Sequence, residues 1–477
     1  MSESTRSPWQ LDLDALARYP RPGTVVPGSL AFSPDSRLLT YLFSDRGDLA
    51  RDLWALDVET GERRILAQPP GGGTTDENVN PEEALRRERQ RLREGGITHY
   101  AWAKDADRIL VPINGKLYVT SSGGESLQLV APSDEPAADA RLTPDGTRVV
   151  CVRGRELWRT DLATGETLQL TSSSSETIAN GLAEFIAQEE MGRDEGFWID
   201  PRGERVAYAH VDEGSIPDYP IVHQGEPQWR VEHHRYPFAG GPNARVRLGV
   251  VGIDGGVTTW LDLGPDPEVY LARVDWSPLG RLFVQLEQRD QQRLELWRYD
   301  VSQGTRTLLL VEATRPWVNL HHDLRFVGET ETFTWSSEGS GYRQLSLHDP
   351  DGSELCDLTS GERPVERLLH VDAERRRAYY TAPGSSPLTR YVWSVSLDAN
   401  VPRYATTDAR DSPPGFHGAV FSPNGSYWAH SFDSGTQAPT VTLESVDGGE
   451  RRVIHQGESI QQVMPGVRPP DLVQLAA

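Results

Sequence analysis

The sequence is poor in cysteine and lysine. Its two cysteines, Cys151 and Cys356, stand far apart in a chain of 477 residues. They cannot build a disulfide framework and match no metal-ligand spacing, so a reducing compartment is permitted. Lys104 and Lys116 are the only lysines. Nearly all positive charge is therefore arginine, the residue suited to bidentate ion pairs. No run of 18 apolar residues occurs, so no membrane-spanning helix is expected. The opening MSESTRSPWQ lacks a basic stretch followed by an apolar core, so no signal peptide is read there. The expectation is a soluble, cytoplasmic chain. Motifs for common chemistries are missing too. There is no Gly-x-Ser-x-Gly pentapeptide, which a nucleophile elbow needs, and no phosphate-binding GxxxxGK[ST]. Glu338-Gly339-Ser340-Gly341 comes nearest to the elbow and lacks the first glycine.

What is abundant is acid, glycine, proline and aromatic rings. Seventy Asp and Glu against 48 Lys and Arg give a net charge of -22, which repels nucleic acid and suits cationic ligands. Apolar residues make up 37% and mean hydropathy is -0.52, low for a packed α/β enzyme and ordinary for a loop-rich all-β protein. Forty-four glycines and 34 prolines punctuate short strands. Thirteen Trp, 15 Tyr and 11 Phe exclude a disordered chain.

A unit recurs. Its first half is an apolar residue followed by a Ser-Pro-Asp-Gly relative: Phe32-Ser33-Pro34-Asp35, Leu142-Thr143-Pro144-Asp145-Gly146, Trp276-Ser277-Pro278-Leu279-Gly280 and Phe421-Ser422-Pro423-Asn424-Gly425. Ile199-Asp200-Pro201-Arg202-Gly203 is a further copy. Its second half is a Leu-Trp-x-x-Asp run, at Leu53 to Asp57, Leu157 to Asp161 and Leu296 to Asp300. The first half supplies tight-turn dihedrals, and the alternation around it reads as half-buried strand. With weaker copies, eight units start near residues 30, 98, 139, 197, 273, 324, 369 and 418. Four-stranded repeats of this length are propeller blades. The fold expected is all-β, an eight-bladed β-propeller over 30–465. Residues 1–29 precede it as a segment with a short helix.

Two inserts break the rhythm, at 70–97 and 171–245. In the first, EEALRRERQRLREGG reads as a helix capped by Asn80, with Pro81 at its first position and Gly95 at its stop. Its RRERQRLR run reads either as a solvated Glu–Arg face, as a basic patch, or as the source of an arginine for a ligand. The interleaved Glu88 and Glu94 and the acidic whole disfavour nucleic acid. In the second insert, residues 181–192 read as a short helix whose stripe Leu182, Phe185, Ile186 runs on to Glu189 and Glu190. Two adjacent carboxylates near a helix C-terminus are unfavourable for stability and favourable for holding an ammonium group. The alternative is a solvated pair with Arg193 as counter-ion. His233-His234 and His321-His322 lack a metal spacing, so capping or surface roles are expected. No metal or cofactor is implied.

At this point the residues are familiar as a family. NGLAEFIAQEEM, residues 180–191, resembles the Glu-Glu helix of the dipeptidyl peptidase IV group, in the prolyl oligopeptidase family of serine peptidases. GFWIDPRG (196–203), YAHVDE (208–213) and RYPFAGGPN (235–243) resemble the strand and arm that follow it. WSSE (335–338), GYR (341–343), LTSGE (358–362) and GFHGAVFSP (415–423) resemble further family stretches. The EEALRRERQRL helix is most similar to that of the dipeptidyl peptidase 8/9 branch and its bacterial relatives.

The resemblance implies a propeller that caps an α/β-hydrolase domain. It implies that Glu189 and Glu190 bind the free amino terminus of a peptide, so that an N-terminal dipeptide is released, usually with Pro or Ala second. It also implies an arginine reaching the substrate backbone. Arg87, Glu88, Arg89 and Arg91 fit that pattern, and Arg89 is the choice. VRPPDLV (467–473) resembles the crossover into the hydrolase domain, so 466–477 is read as its start. The Ser, Asp and His of the triad are not in this sequence, and the chain alone is expected to be inactive. The partners implied are peptides with a free N-terminus and an α/β-hydrolase domain or chain, with no nucleic acid and no membrane, and a homodimer is compatible. The competing reading is a standalone, non-catalytic peptide-binding or protein-interaction propeller.

Overall fold

The computed structural model describes residues 24–75, 91–124, 126–130, 135–223, 230–398, 404–405 and 413–459, and a few single positions including Tyr19, Arg87 and Arg468. The chain forms antiparallel meanders that follow one another, and among the described residues eight four-stranded units can be traced. Their first strands are Gly28–Phe32, Ala101–Trp102, Ala138–Leu142, Ile178–Asn180 with Phe197–Ile199, Tyr270–Trp276, Arg325–Phe326, Arg367–Asp372 and Phe416–Phe421. The all-β propeller class read from the sequence holds.

The repeated motifs explain the meanders. In the first unit the Ser33 hydroxyl donates to Asp35 (2.6 Å) and accepts from the Leu38 amide (2.9 Å), which closes the first hairpin. Thr143 and Asp145 repeat this in the third unit, and Ser422 and Asn424 in the eighth. The fourth turn residue is left-handed, Gly146 at φ 67° and Gly425 at φ 66°, a conformation that costs glycine little. The Asp of the second half organises the next turn. Asp57 accepts from the amides of Glu59 (3.1 Å) and Thr60 (2.7 Å), and Asp161 and Asp300 do the same in their units. These amides stabilise the ionised form and hold the Asp57 carboxyl below its ordinary range.

A sheet of this kind must bury each face against a neighbour. Apolar layers lie between successive units. Leu42, Leu53 and Leu66 of the first meet Ile109 and Val111 of the second. Leu110 and Val119 of the second meet Val149 and Cys151 of the third. Ala209, Leu248 and Val250 of the fourth meet Leu271, Leu282 and Val284 of the fifth. The seventh and eighth join edge to edge through a parallel pair, Arg390 with Phe416. The eighth then packs on the first: Ala429, Val441 and Leu443 bury against Phe32, Leu39 and Tyr41. Polar contacts reinforce the closure. Arg63 donates to the carbonyls of Ile454 (2.7 Å) and Val453 (2.8 Å), and Arg452 to that of Val58 (3.1 Å). The array is a closed ring.

The helix expected over 81–94, with its Asn80 cap, lies mostly outside the described residues. The chain leaving it pairs in parallel with the strand Ala50–Asp57, Gly95 opposite Ala50 and Gly96 opposite Arg51. A Cβ on Gly96 would stand 2.4 Å from the Arg51 carbonyl, and its φ is +70°, so only glycine fits. The second insert holds one short helix, α1 (Phe185–Glu189), and a two-stranded arm, Asp218–His223 with Arg230–Arg235.

Candidate functional site

A cavity of about 1370 Å³ opens inside the ring. Its wall is built from first strands of several units, from α1 and the segment after it, and from the base of the arm, with Arg141, Asp275, Glu189 and Tyr236 as representatives.

α1 is only five residues long, shorter than the sequence reading of 181–192. The packed positions are Ala183, Ala187 and Met191, which bury against Ala272, Phe283, Leu324, Phe333 and Trp335. These are spaced by four; of the expected stripe, Ile186 packs partly buried on this same layer and Leu182 lies against a separate one. Phe185 is half-buried and turns to the cavity, its ring 5.1 Å from that of Tyr236 on the arm. The packed face therefore does not end in Glu189 and Glu190; both are exposed. Glu189 is on the cavity wall, and Glu190 is the C-cap.

Arg193, the counter-ion of the alternative reading, serves elsewhere. It is 3% exposed and bridges Glu184 at 2.6 Å, while its Nε donates to the Leu271 carbonyl at 2.9 Å. Glu184 is itself 5% exposed. This buried pair fastens the start of α1 to the chain beyond its end and to the strand Tyr270–Trp276.

Arg89 lies outside the described residues. Its neighbour Arg87 is buried and donates to the Glu94 carbonyl at 2.8 Å. The histidine pairs are local. His233 meets Asp218 at 2.6 Å across the arm. His321 accepts from the Asp323 amide at 3.2 Å, and Asp323 is held by Ser336 (2.6 Å) and the Leu368 amide (2.8 Å). Among the described residues no group of three or more His, Cys, Asp or Glu could hold a metal ion. Cys151 and Cys356 are both free.

The sequence reading missed the charges on the ring's inner strands. Arg141 bridges Asp139 at 2.9 Å and Glu195 at 3.0 Å. Burial pushes the Asp139 carboxyl up, against the pull of Arg141. Burial likewise raises Asp275 to about 6 and Glu287 to about 7, with Arg273 pulling both back. Arg273 is lowered to about 10 by burial and by Arg193. A signal was present. Arg141 and Arg325 directly precede the apolar residue that opens the repeated turn, and Arg273 stands three residues before it. Charge inside an otherwise apolar strand marks a wet interior face.

A ring of antiparallel blades around a charged cavity, with a carboxylate-bearing helix on its wall, defines a β-propeller. Comparison with known proteins gives the family. Residues 102–439 match the dipeptidyl peptidase IV (DPP IV) N-terminal region, and the chain belongs to that family. It is 26% identical over 332 residues to a probable dipeptidyl peptidase 4 of Arthroderma benhamiae, covering 66% of this chain and 42% of that protein. It is 25% identical over 359 residues to a probable dipeptidyl-aminopeptidase B of Aspergillus oryzae, covering 68% and 39%. The crystal structure of Porphyromonas gingivalis dipeptidyl peptidase 4 superposes with a TM-score of 0.76 at 18% identity, over 91% of this chain and 60% of that one. The chain thus spans about two fifths of these two curated relatives and 60% of the Porphyromonas gingivalis chain.

Proposed function

We propose that this propeller is the part of a dipeptidyl peptidase that recognises the amino terminus of its substrate. Glu189, with Glu190 beside it, takes the ammonium group of a peptide in the cavity, and Arg89 takes its backbone. The nucleophile, general base and oxyanion donors belong to an α/β-hydrolase domain. Fixing the amino terminus at a set distance from that serine would select the second peptide bond, releasing an N-terminal dipeptide, with Pro or Ala second in the preferred substrates. A peptide without a free ammonium would leave the carboxylates facing an uncharged chain, which is how such a site rejects it.

The observation that carries this reading is the position of Glu189. A buried ion pair that does not include it fixes the helix that bears it, and its exposed carboxylate lies on the cavity wall. The test is equilibrium binding of an Ala-Pro-Ala peptide, with a free or an acetylated amino terminus, to the full chain. Acetylation should weaken binding at least tenfold, roughly one charge-assisted hydrogen bond's worth. Glu189→Gln should abolish the difference. Equal affinity of the two peptides for the unaltered chain overturns the assignment.

A further inference from the structure

We propose that the cavity holds a second, oppositely charged subsite, formed by Arg273, Gln285 and His321, that binds a carboxylate. The three side chains are 7%, 1% and 5% exposed, and all border the cavity. Each keeps a buried polar atom with no hydrogen-bond partner among the described residues: Nε of Arg273, Oε1 of Gln285 and Nε2 of His321. Each unmet buried atom in a native interior calls for an explanation, and these three border one cavity.

The local structure brings them together. Arg273 and Gln285 are direct cross-strand partners in the hairpin of the fifth unit. One extra residue, Ala272, interrupts the register between Leu271 and Arg273. Such a bulge re-aims the side chain that follows it, and Arg273 is steadied by a hydrogen bond to the Ala272 carbonyl at 2.7 Å. His321 comes from the segment leading into the sixth unit, its ring edge-on to Trp335 at 4.5 Å. Its Nδ1 accepts from the Asp323 amide. In the neutral ring the proton is therefore on Nε2, so the unmet atom is a donor. Burial holds the ring neutral by lowering its pKa to about 4. Gln285 can present either end of its amide, since rotation exchanges oxygen and nitrogen.

Charge decides the class of ligand. Arg141 has Asp139 and Glu195 in ion-pair contact; Arg273 has no carboxylate so placed among the described residues. The groups acting on it through space are Arg193, Asp275, Glu287 and Glu195, and burial raises both Asp275 and Glu287 toward their neutral forms. A buried guanidinium with incomplete compensation favours an anion. Carboxylates outnumber arginines on the cavity wall, eight to six, an excess that opposes a doubly charged phosphate more than a singly charged carboxylate. A planar carboxylate also matches the guanidinium geometry and accepts from more than one donor.

The source of the carboxylate is either an acidic side chain or the C-terminus of a short peptide, and acetylated probes distinguish them without involving the amine site. Binding of acetyl-Ala-Ala, acetyl-Ala-Asp-Ala-amide and acetyl-Ala-Ala-amide to the full chain is compared by calorimetry. At least one carboxylate probe should bind tenfold or more tighter than the uncharged amide. Whichever does so names the source. Arg273→Met should remove that preference, and Arg273→Lys, which keeps the charge and loses the planar fork, should retain part of it. Equal binding of all three probes, or a preference unchanged in Arg273→Met, overturns the proposal. Should Arg273→Met fail to fold, Arg273→Lys together with His321→Phe, which deletes the Nε2 donor, carries the test: a preference intact in both overturns it. Because no probe has a free amine, failure here leaves the Glu189 assignment standing, and the reverse also holds.

Discussion

Glu287 gives a direct measure of how strongly the ring interior resists charge. It is 2% exposed, and burial raises its carboxyl to about 7, against an ordinary value of 4.5. The folded state therefore keeps a proton that the unfolded chain releases. The stability linked to this group is complete below about pH 4.5 and is lost as pH rises through 7. Asp275 acts in the same sense, through about 6. His321 acts in the opposite one: its pKa is lowered to about 4, so falling pH below 6.5 favours the unfolded chain. Glu287→Gln isolates the first term. Between pH 5 and 8, the unaltered chain should lose about 2 kcal/mol relative to this variant in urea unfolding. A difference independent of pH would show that Glu287 is ionised throughout. Neither Glu287 nor Asp275 was legible as special in the sequence, and His321 was read only as a capping or surface residue. Their surroundings are assembled from strands far apart in the chain, and a carboxylate does not announce which neighbours will desolvate it.

At the scale of elements, α1 shows most clearly where local reading succeeds and fails. Five residues cannot hold a helix by propensity. α1 exists because Ala183, Ala187 and Met191 are buried and because Glu184 and Arg193 close around it. Removing one partner leaves the other charge buried alone. Glu184→Ala should therefore cost about 3–5 kcal/mol and weaken free-amine peptide binding along with stability, as the loosened helix misplaces Glu189. Binding unchanged at full occupancy of the folded state would separate the bridge from the site. The sequence marked the right segment but drew the helix over 181–192 where only Phe185–Glu189 is helical, and it ran the packed stripe on to Glu189 and Glu190, which are exposed. The alternative reading of Arg193 as counter-ion to Glu189 and Glu190 gives way to the bridge with Glu184, because adjacency in sequence is weaker than the pull of a buried partner. The turns were legible in detail. Ser33 with Asp35 and Asp57 with Thr60 complete their hydrogen bonds within a few residues, so nothing distant can overrule them.

The whole molecule is held by interfaces of one kind repeated round a ring, and the layer between the eighth unit and the first is the one that closes it. Leu443, 3% exposed, sits in that layer. Leu443→Ala should cost about 2–5 kcal/mol while leaving thermal unfolding a single transition, since every unit loses support once the ring opens. An early partial transition in calorimetry would instead mean that the closing layer is dispensable to the other units. The order and rhythm of the units could be read from the repeats. That the eighth meets the first could only be inferred, because closure depends on the small rotation each interface adds.

Closure also sets a timetable. Arg63 and the Ile454 carbonyl that it binds are separated by 391 residues. At ribosomal speeds of 5–20 residues per second, the first unit waits roughly 20 to 80 s for its partner to be made. Throughout that interval Phe32, Leu39 and Tyr41 lack the eighth unit that buries them, and Arg63 lacks the carbonyls it binds. Nascent chains of this protein should therefore be sticky until the eighth unit is made, and a holding chaperone on the first unit is the cellular counterpart of the eighth.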